Sequence, residues 1–181
     1  AEQQRNSVKI LEQRVAKRTA ELEGVNRALS AEIAQRSELE QRLEYLVDHD
    51  PLTGLYNRHR FEEALTEEVS RASRYQSGGA VLLIDLDHFK EVNDTLGHQA
   101  GDQLLKTIGS VLKGCVRHTD IVARLGGDEF GVLLRHVNAE RAALVAEAIV
   151  KATRQRQVAL GKQLTSVTTS VGIAMLDGST A

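Results

Sequence analysis

The sequence predicts an α+β fold: a small antiparallel sheet with helices on one face, preceded by one long helix. Three observations predict it. An apolar stripe at alternating steps of three and four residues runs through the first part of the chain without a proline. After it, short apolar runs suited to strands alternate with segments of helical period. Within that alternation, two apolar runs flank Gly126-Gly127-Asp128-Glu129, the pattern of a β-hairpin with a tight glycine turn.

The first stripe falls on Val8, Leu11, Val15, Arg18, Leu22, Val25, Leu29, Glu32, Arg36, Leu39, Leu43 and Leu46. At about 1.5 Å per residue such a helix reaches roughly 58 Å, more than a small domain needs. A lone helix has nowhere to bury its stripe, so residues 1–47 predict a homodimer through a parallel coiled coil. Arg18, Glu32 and Arg36 weaken the middle of the seam. Two readings follow: a plain dimerisation stalk, or a stalk that transmits a signal by changing register.

Asp48-His49-Asp50-Pro51-Leu52-Thr53-Gly54 ends the stalk, because proline and glycine break the helix and turn the chain. A domain of residues 48–181 is expected after this break. Arg58 to Tyr75 carries Phe61, Leu65, Val69 and Ala72 at helical spacing. Ser77-Gly78-Gly79 closes that helix, and Ala80 to Ile84 suits a buried central strand ending in Asp85-Leu86-Asp87. Gly101 to Val116 is again helical. The hairpin strands, Ile121 to Leu125 and Phe130 to Leu134, come next. A helix capped by Asn138 runs to about Gln155, and a β-branched strand spans Thr165 to Met175. Without its first helix this order is β-α-β-β-α-β, the ferredoxin-like arrangement.

Composition narrows the function. Over 181 residues the net charge is −2 and aromatics make up 3%, so neither the basic footprint nor the stacking platform of a nucleic-acid binder is present. Cys115 is alone, which excludes an internal disulfide and fits a reducing compartment; its apolar helical setting suggests core. The longest apolar run, Ala80 to Ile84, is too short to span a bilayer. A cytoplasmic domain with no membrane contact of its own is expected. The chain opens on Ala1 without a methionine, which reads as a piece of a longer protein that could be anchored to an inner membrane through upstream segments.

Two adjacent carboxylates at a hairpin tip are not needed for the turn. In the expected sheet the strand ending at Asp85 lies beside the tip, where Asp85 would meet Asp128 and Glu129. Three converging carboxylates repel one another unless a cation sits between them, and Mg²⁺ binds through a few carboxylates and substrate phosphates. Between them lies Phe89-Lys90-Glu91-Val92-Asn93-Asp94-Thr95-Leu96-Gly97-His98-Gln99-Ala100-Gly101-Asp102. Backbone amides after the strand, with Lys90, would suit phosphates. Asn93 and Asp102 offer what the guanine edge requires, although each alone also suits a turn or helix cap.

Asp50-x-Leu52-Thr53-Gly54-Leu55-x-Asn57-Arg58, Ile84-Asp85-x-Asp87-His88-Phe89-Lys90, Asn93-Asp94, Gly97-His98, Gly101-Asp102 and Arg124-x-Gly126-Gly127-Asp128-Glu129-Phe130 resemble the GGDEF family of diguanylate cyclases. The resemblance runs from about Asp48 to the end. It implies a fold akin to polymerase palms and condensation of two GTP molecules to cyclic di-GMP with release of pyrophosphate. It implies Mg²⁺, or Mn²⁺ in its place, held by Asp85, the Leu86 carbonyl and Asp128, with Glu129 assisting the metal and the attacking 3′-hydroxyl. Asn93 and Asp102 would recognise guanine, Phe89 and Lys90 would hold phosphates, and Gly126 and Gly127 would let a nucleotide lie against bare backbone. Each domain would hold one GTP, so the cyclic product requires two domains face to face.

Arg117-His118-Thr119-Asp120 matches the family's Arg-x-x-Asp motif for product inhibition by cyclic di-GMP; a bare Arg-x-x-Asp is otherwise a common surface pair. Two departures stand out. Ala148 occupies a place where some relatives carry an arginine that completes this site, which implies weaker feedback. The family also continues into a basic C-terminal helix that residues up to Ala181 do not reach, which implies impaired turnover by this stretch alone. A degenerate domain that only binds cyclic di-GMP or GTP, and a dimeric relay to another output domain, are the alternative readings.

Overall fold

The computed structural model describes residues 2–75, 78–160 and 163–176, and for residues 2–13, 16, 20, 44, 159, 160, 163 and 164 the backbone alone. The chain divides into two compact units, Ala1–Tyr45 and Leu46–Ala181. From Glu2 onward the first is helical, as part of α1 (Glu2–Asp48). Its apolar stripe is open: Val15, Leu22, Val25, Leu29, Leu39 and Leu43 are between 51% and 67% exposed. Arg18 and Arg36, which interrupt the stripe, pair along the same helix with Glu21 at 3.3 Å and Glu40 at 2.9 Å. The side chains of Val8 and Leu11 lie outside the described residues.

The second unit continues with α2 (Arg58–Tyr75), β1 (Gly79–Leu86), α3 (Phe89–Leu96), α4 (His98–Cys115), β2 (Ile121–Gly126), β3 (Glu129–Arg135), α5 (Ala139–Gln155), β4 (Val158–Leu160), β5 (Gln163–Thr165) and β6 (Thr169–Leu176). Four strands form one sheet in the order β2-β3-β1-β6, with every neighbouring pair antiparallel. Strand alternation divides the core in two. Ala80, Leu82, Ile84 and Leu86 of β1 join Leu104, Leu105, Ile108 and Leu112 of α4 and Ala142 and Ile149 of α5. Val81, on the other face, joins Ile121, Ala123 and Leu133 against Phe61 and Ala64 of α2.

The helices are therefore not confined to one face. Because β1 is apolar on both faces, α2 is needed to cover the second. That cover is partial, since Val81 is buried while Leu83 remains 54% exposed. Close approach of α2 depends on Gly131 of β3, where an added Cβ would stand 2.8 Å from the Phe61 ring.

Three further differences have local causes. α3 is an extra helix, and it starts without a capping side chain, on His88 at φ 60°. α4 begins at His98, before the expected Gly101. The final strand begins at Thr169, and Thr165 instead closes a separate β4–β5 hairpin. Ser77, in the expected turn after α2, lies outside the described residues, as do the residues following Leu176.

Candidate active site

The glycine hairpin sits as the alternation of its flanks requires, with one irregularity. Arg124 pairs with Phe130 and Gly126 with Glu129, so the register shifts and Leu125 is left over as a bulge. Gly126 and Gly127 adopt φ 149° and 51°, a region that side chains disfavour. Two arginines hold this tip. Arg124 donates Nε and Nη2 to the Gly127 carbonyl at 3.0 and 2.8 Å, while its Nη1 lies 3.2 Å from the Asp50 carboxylate. Arg58 donates Nε to the Leu125 carbonyl at 2.7 Å, and its Nη2 lies 3.5 Å from Glu129.

Asp50 is itself fixed, accepting from the Thr53 amide at 2.8 Å and its hydroxyl at 2.6 Å. Tyr56 completes the connection, donating its amide to Val122 and accepting from the Arg124 amide. The Asp50–Arg58 segment thus fastens to the hairpin at several points. Sequence reasoning placed Asp50, Arg58 and Arg124 in motifs but gave them no structural task. A signal for Arg58 was present, because a cation at the first position of a helix opposes the helix dipole.

Opposite the tip, Asp85 of β1 is the direct register partner of Glu129. Slight desolvation of Asp85 pushes its carboxyl above the ordinary aspartate range, and the charges of Asp128, Asp87 and Glu129 push it further. Asp87 behaves oppositely. Its carboxylate accepts from the Thr168 hydroxyl at 2.6 Å and the Ser170 hydroxyl at 2.8 Å, and these bonds hold it below the ordinary range. The two acids of Asp85-Leu86-Asp87 therefore have different tasks: Asp87 fastens the end of β1 to β6, and Asp85 faces a cleft.

That cleft, about 560 Å³, is lined by Arg58, Asp85, Leu125, Glu129 and Ser170 among others. Mutual repulsion among hard oxygen donors is what a divalent cation relieves, so the residues present fit Mg²⁺ or Mn²⁺. Leu86 is buried at 1% exposure and pairs with Thr169 of β6. Among the described residues, no three acidic, imidazole or thiol side chains are grouped so as to hold a metal ion by themselves.

The turn after β1 leads into a second cluster. Asn93 and Phe89 of α3 lie over Gly101 of α4, where an added Cβ would collide with the Asn93 amide oxygen and stand 3.2 Å from Phe89 Cζ. Asp102 follows Gly101 and is exposed, as is Lys90 in the first turn of α3. Phe89 and Asn93 are thus brought together over the first turn of α4. Of the amides after β1, that of Asp87 is already donated to the Thr168 carbonyl at 3.1 Å.

Arg117 and Asp120 stand elsewhere, on the turn entering β2. Asp120 accepts from the Arg117 amide at 3.0 Å and from the Arg135 amide at 3.2 Å. It shapes the turn and retains a lone pair on each oxygen. A cavity of about 510 Å³ opens beside it, lined by Tyr56, Lys113, Arg117, His118 and Asp120 among others.

A family model for the diguanylate cyclase GGDEF domain matches residues 47–181. The chain belongs to this family. Over 146 residues, 81% of the chain and 13% of the relative, it is 37% identical to the probable diguanylate cyclase DgcE of Escherichia coli (strain K12). The diguanylate cyclase SiaD of Pseudomonas aeruginosa, solved with its activator SiaC, superposes with a TM-score of 0.70 at 34% identity, covering 94% of this chain and 66% of that one. The coiled coil and GGDEF domain of DgcB from Caulobacter crescentus, solved with c-di-GMP, gives 0.72 at 28% identity, covering 85% of this chain and 82% of that one. The chain spans only a fraction of the curated relatives' length, 13% of DgcE and 23% of DgcT. In this GGDEF domain the motif that names the family is the hairpin tip held by Arg124 and Arg58.

Proposed function

We propose that residues 48–181 act as a diguanylate cyclase, condensing two GTP molecules to cyclic di-GMP and pyrophosphate. The observation that supports this reading is geometric: Asp85 and Glu129 are register partners, and both line a cleft of about 560 Å³. Asp85, the Leu86 carbonyl and Asp128 would hold Mg²⁺ or Mn²⁺, with Glu129 beside them. When bound, the metal would polarise the α-phosphate and lower the pKa of the attacking 3′-hydroxyl. Glu129 would accept a hydrogen bond from that hydroxyl. Phe89 and Lys90 would hold phosphates, Asn93 and Asp102 would read guanine, and Gly126 and Gly127 would let the nucleotide lie against bare backbone.

Each chain would hold one GTP, so product formation needs two copies. Residues 1–47, as a parallel coiled coil, would raise the effective concentration of the half-sites and set their orientation. Arg117 and Asp120 would bind the product as an inhibitor, weakly because Ala148 supplies no arginine. A domain that consumes GTP would act in the cytoplasm. No helix among the described residues is long and apolar enough to cross a membrane.

The test is incubation of the full-length protein with GTP and Mg²⁺, with products read by mass spectrometry. Cyclic di-GMP is expected, and Asp128→Asn is expected to abolish it. Guanine-nucleotide binding with no cyclic product would overturn the catalytic reading.

A further inference from the structure

We propose that Arg58 is a positioning residue of this site: it holds the Leu125 carbonyl and the Glu129 carboxylate together, so that Glu129 stays turned toward Asp85 across the cleft. The proposal rests on the catalytic reading above and assigns a task to a side chain on α2, remote in sequence from the hairpin.

Arg58 is the first residue of α2, and its backbone placement is already secured by Asn57, whose side-chain oxygen accepts from the Arg60 amide at 3.0 Å. The opening turn carries no acidic residue. A guanidinium there gains nothing from the helix dipole, so its interactions with the hairpin account for its position better than helix stability does. Its strongest contact is the 2.7 Å bond to the Leu125 carbonyl, on the residue left over by the bulge. That bond fixes the guanidinium plane and directs Nη2 along bare Gly126, where an added Cβ would stand 3.9 Å away, toward Glu129 at 3.5 Å.

Glu129 is 58% exposed at its side chain and would otherwise sample several rotamers. Asp85 stands opposite Glu129 in register, and the two carboxylates repel each other. Among the described residues, the ion pair that ties a cation to this group is Arg58–Glu129. Glu62, 3.9 Å from Nη1, steadies the guanidinium from the other side. An ion pair this exposed contributes little to stability. Its consequence lies in aim, and misplacement of a reacting group by about 1 Å costs up to roughly 100-fold in rate.

The experiment compares wild type, Arg58→Gln, Arg58→Lys, Glu129→Gln and the Arg58→Gln/Glu129→Gln double variant in the full-length protein with GTP and Mg²⁺. Arg58→Gln is expected to lower kcat roughly 10- to 100-fold, leaving GTP affinity within about twofold and thermal unfolding unchanged. Arg58→Lys should recover part of the loss. In the Glu129→Gln background, Arg58→Gln should add nothing, because the two residues act as a unit. An undiminished kcat, or an equal further loss in that background, overturns the proposal. If wild type makes no cyclic di-GMP, the catalytic reading fails instead, and amide hydrogen exchange at Gly126 to Glu129 decides the positioning role. Faster exchange in Arg58→Gln supports it, and unchanged exchange overturns it.

Discussion

The amide oxygen of Asn93 occupies the space that a Cβ on Gly101 would fill. The obstruction is the end of a flexible side chain, so Gly101→Ala should be accepted by the fold and even favoured by helix propensity, by up to about 1 kcal/mol. Asn93 must then rotate away. GTP affinity is expected to fall roughly tenfold, the equivalent of one lost hydrogen bond, while the thermal midpoint holds or rises. Calorimetric titration beside thermal unfolding checks this; unchanged affinity would remove Asn93 from guanine recognition.

Arg124 and Asp50 form a pair in which each side chain is only 16% exposed. Arg124→Ala removes four hydrogen-bonding contacts, two to the Gly127 carbonyl and two to the Asp50 carboxylate, so the domain should lose about 2–3 kcal/mol. Asp50→Asn should cost less, since an amide still accepts from Thr53. Urea unfolding of both variants measures the difference, and equal losses would contradict the assignment.

Glu68 of α2 is fully buried, with Arg71 at 3.0 Å and Arg135 at 3.4 Å. Removing its charge strands two guanidinium groups at the margin of the core. Glu68→Ala is expected to destabilise by about 3–5 kcal/mol, and Arg135→Ala, whose backbone still serves Asp120, by less. Denaturation of each variant tests the order.

Asp87 sets a pH dependence. Hydroxyls of Thr168 and Ser170 hold its pKa below the unfolded value, so the stability they contribute is fully present above the unfolded aspartate pKa. It is lost as pH falls through the folded value, where both states become protonated. Thr168→Val should therefore be destabilised at neutral pH, with the gap to wild type closing in acid. A gap constant from pH 7 down to pH 2 would contradict it.

Asp85 behaves in the opposite sense, because its charge opposes folding in the absence of a counter-ion. Asp85→Asn is expected to raise the thermal midpoint without metal and to abolish the increment that Mg²⁺ gives wild type. Unfolding with Mg²⁺ and with EDTA checks both parts. A variant still stabilised by Mg²⁺ would show that Asp85 is not a ligand.

What the sequence disclosed follows from which signals are local. The glycine hairpin, the β1 carboxylate and the α5 helix are written in side-chain periodicity and turn chemistry, and they stand where expected; α4 does so except for its first turn. α3 escaped because it starts on a left-handed His88 with no capping side chain, so nothing in its first residues announces a helix. The position of α2 escaped for another reason: whether a helix lies on one face of a sheet or the other is a tertiary choice, decided here by Val81 and by the absence of a side chain at Gly131. The carboxylates of the site were legible as charges without a structural purpose. The arginines that aim them were not, because Arg58 and Arg124 act through backbone carbonyls, which leave no trace in residue identity.

Tyr56 has a consequence beyond joining two segments. β2 is an outermost strand of the sheet, and without cover its Val122 carbonyl and Arg124 amide would be open to a strand from another chain. Tyr56 occupies both with its own backbone. The middle of this edge strand is thereby closed to pairing with a strand from another chain.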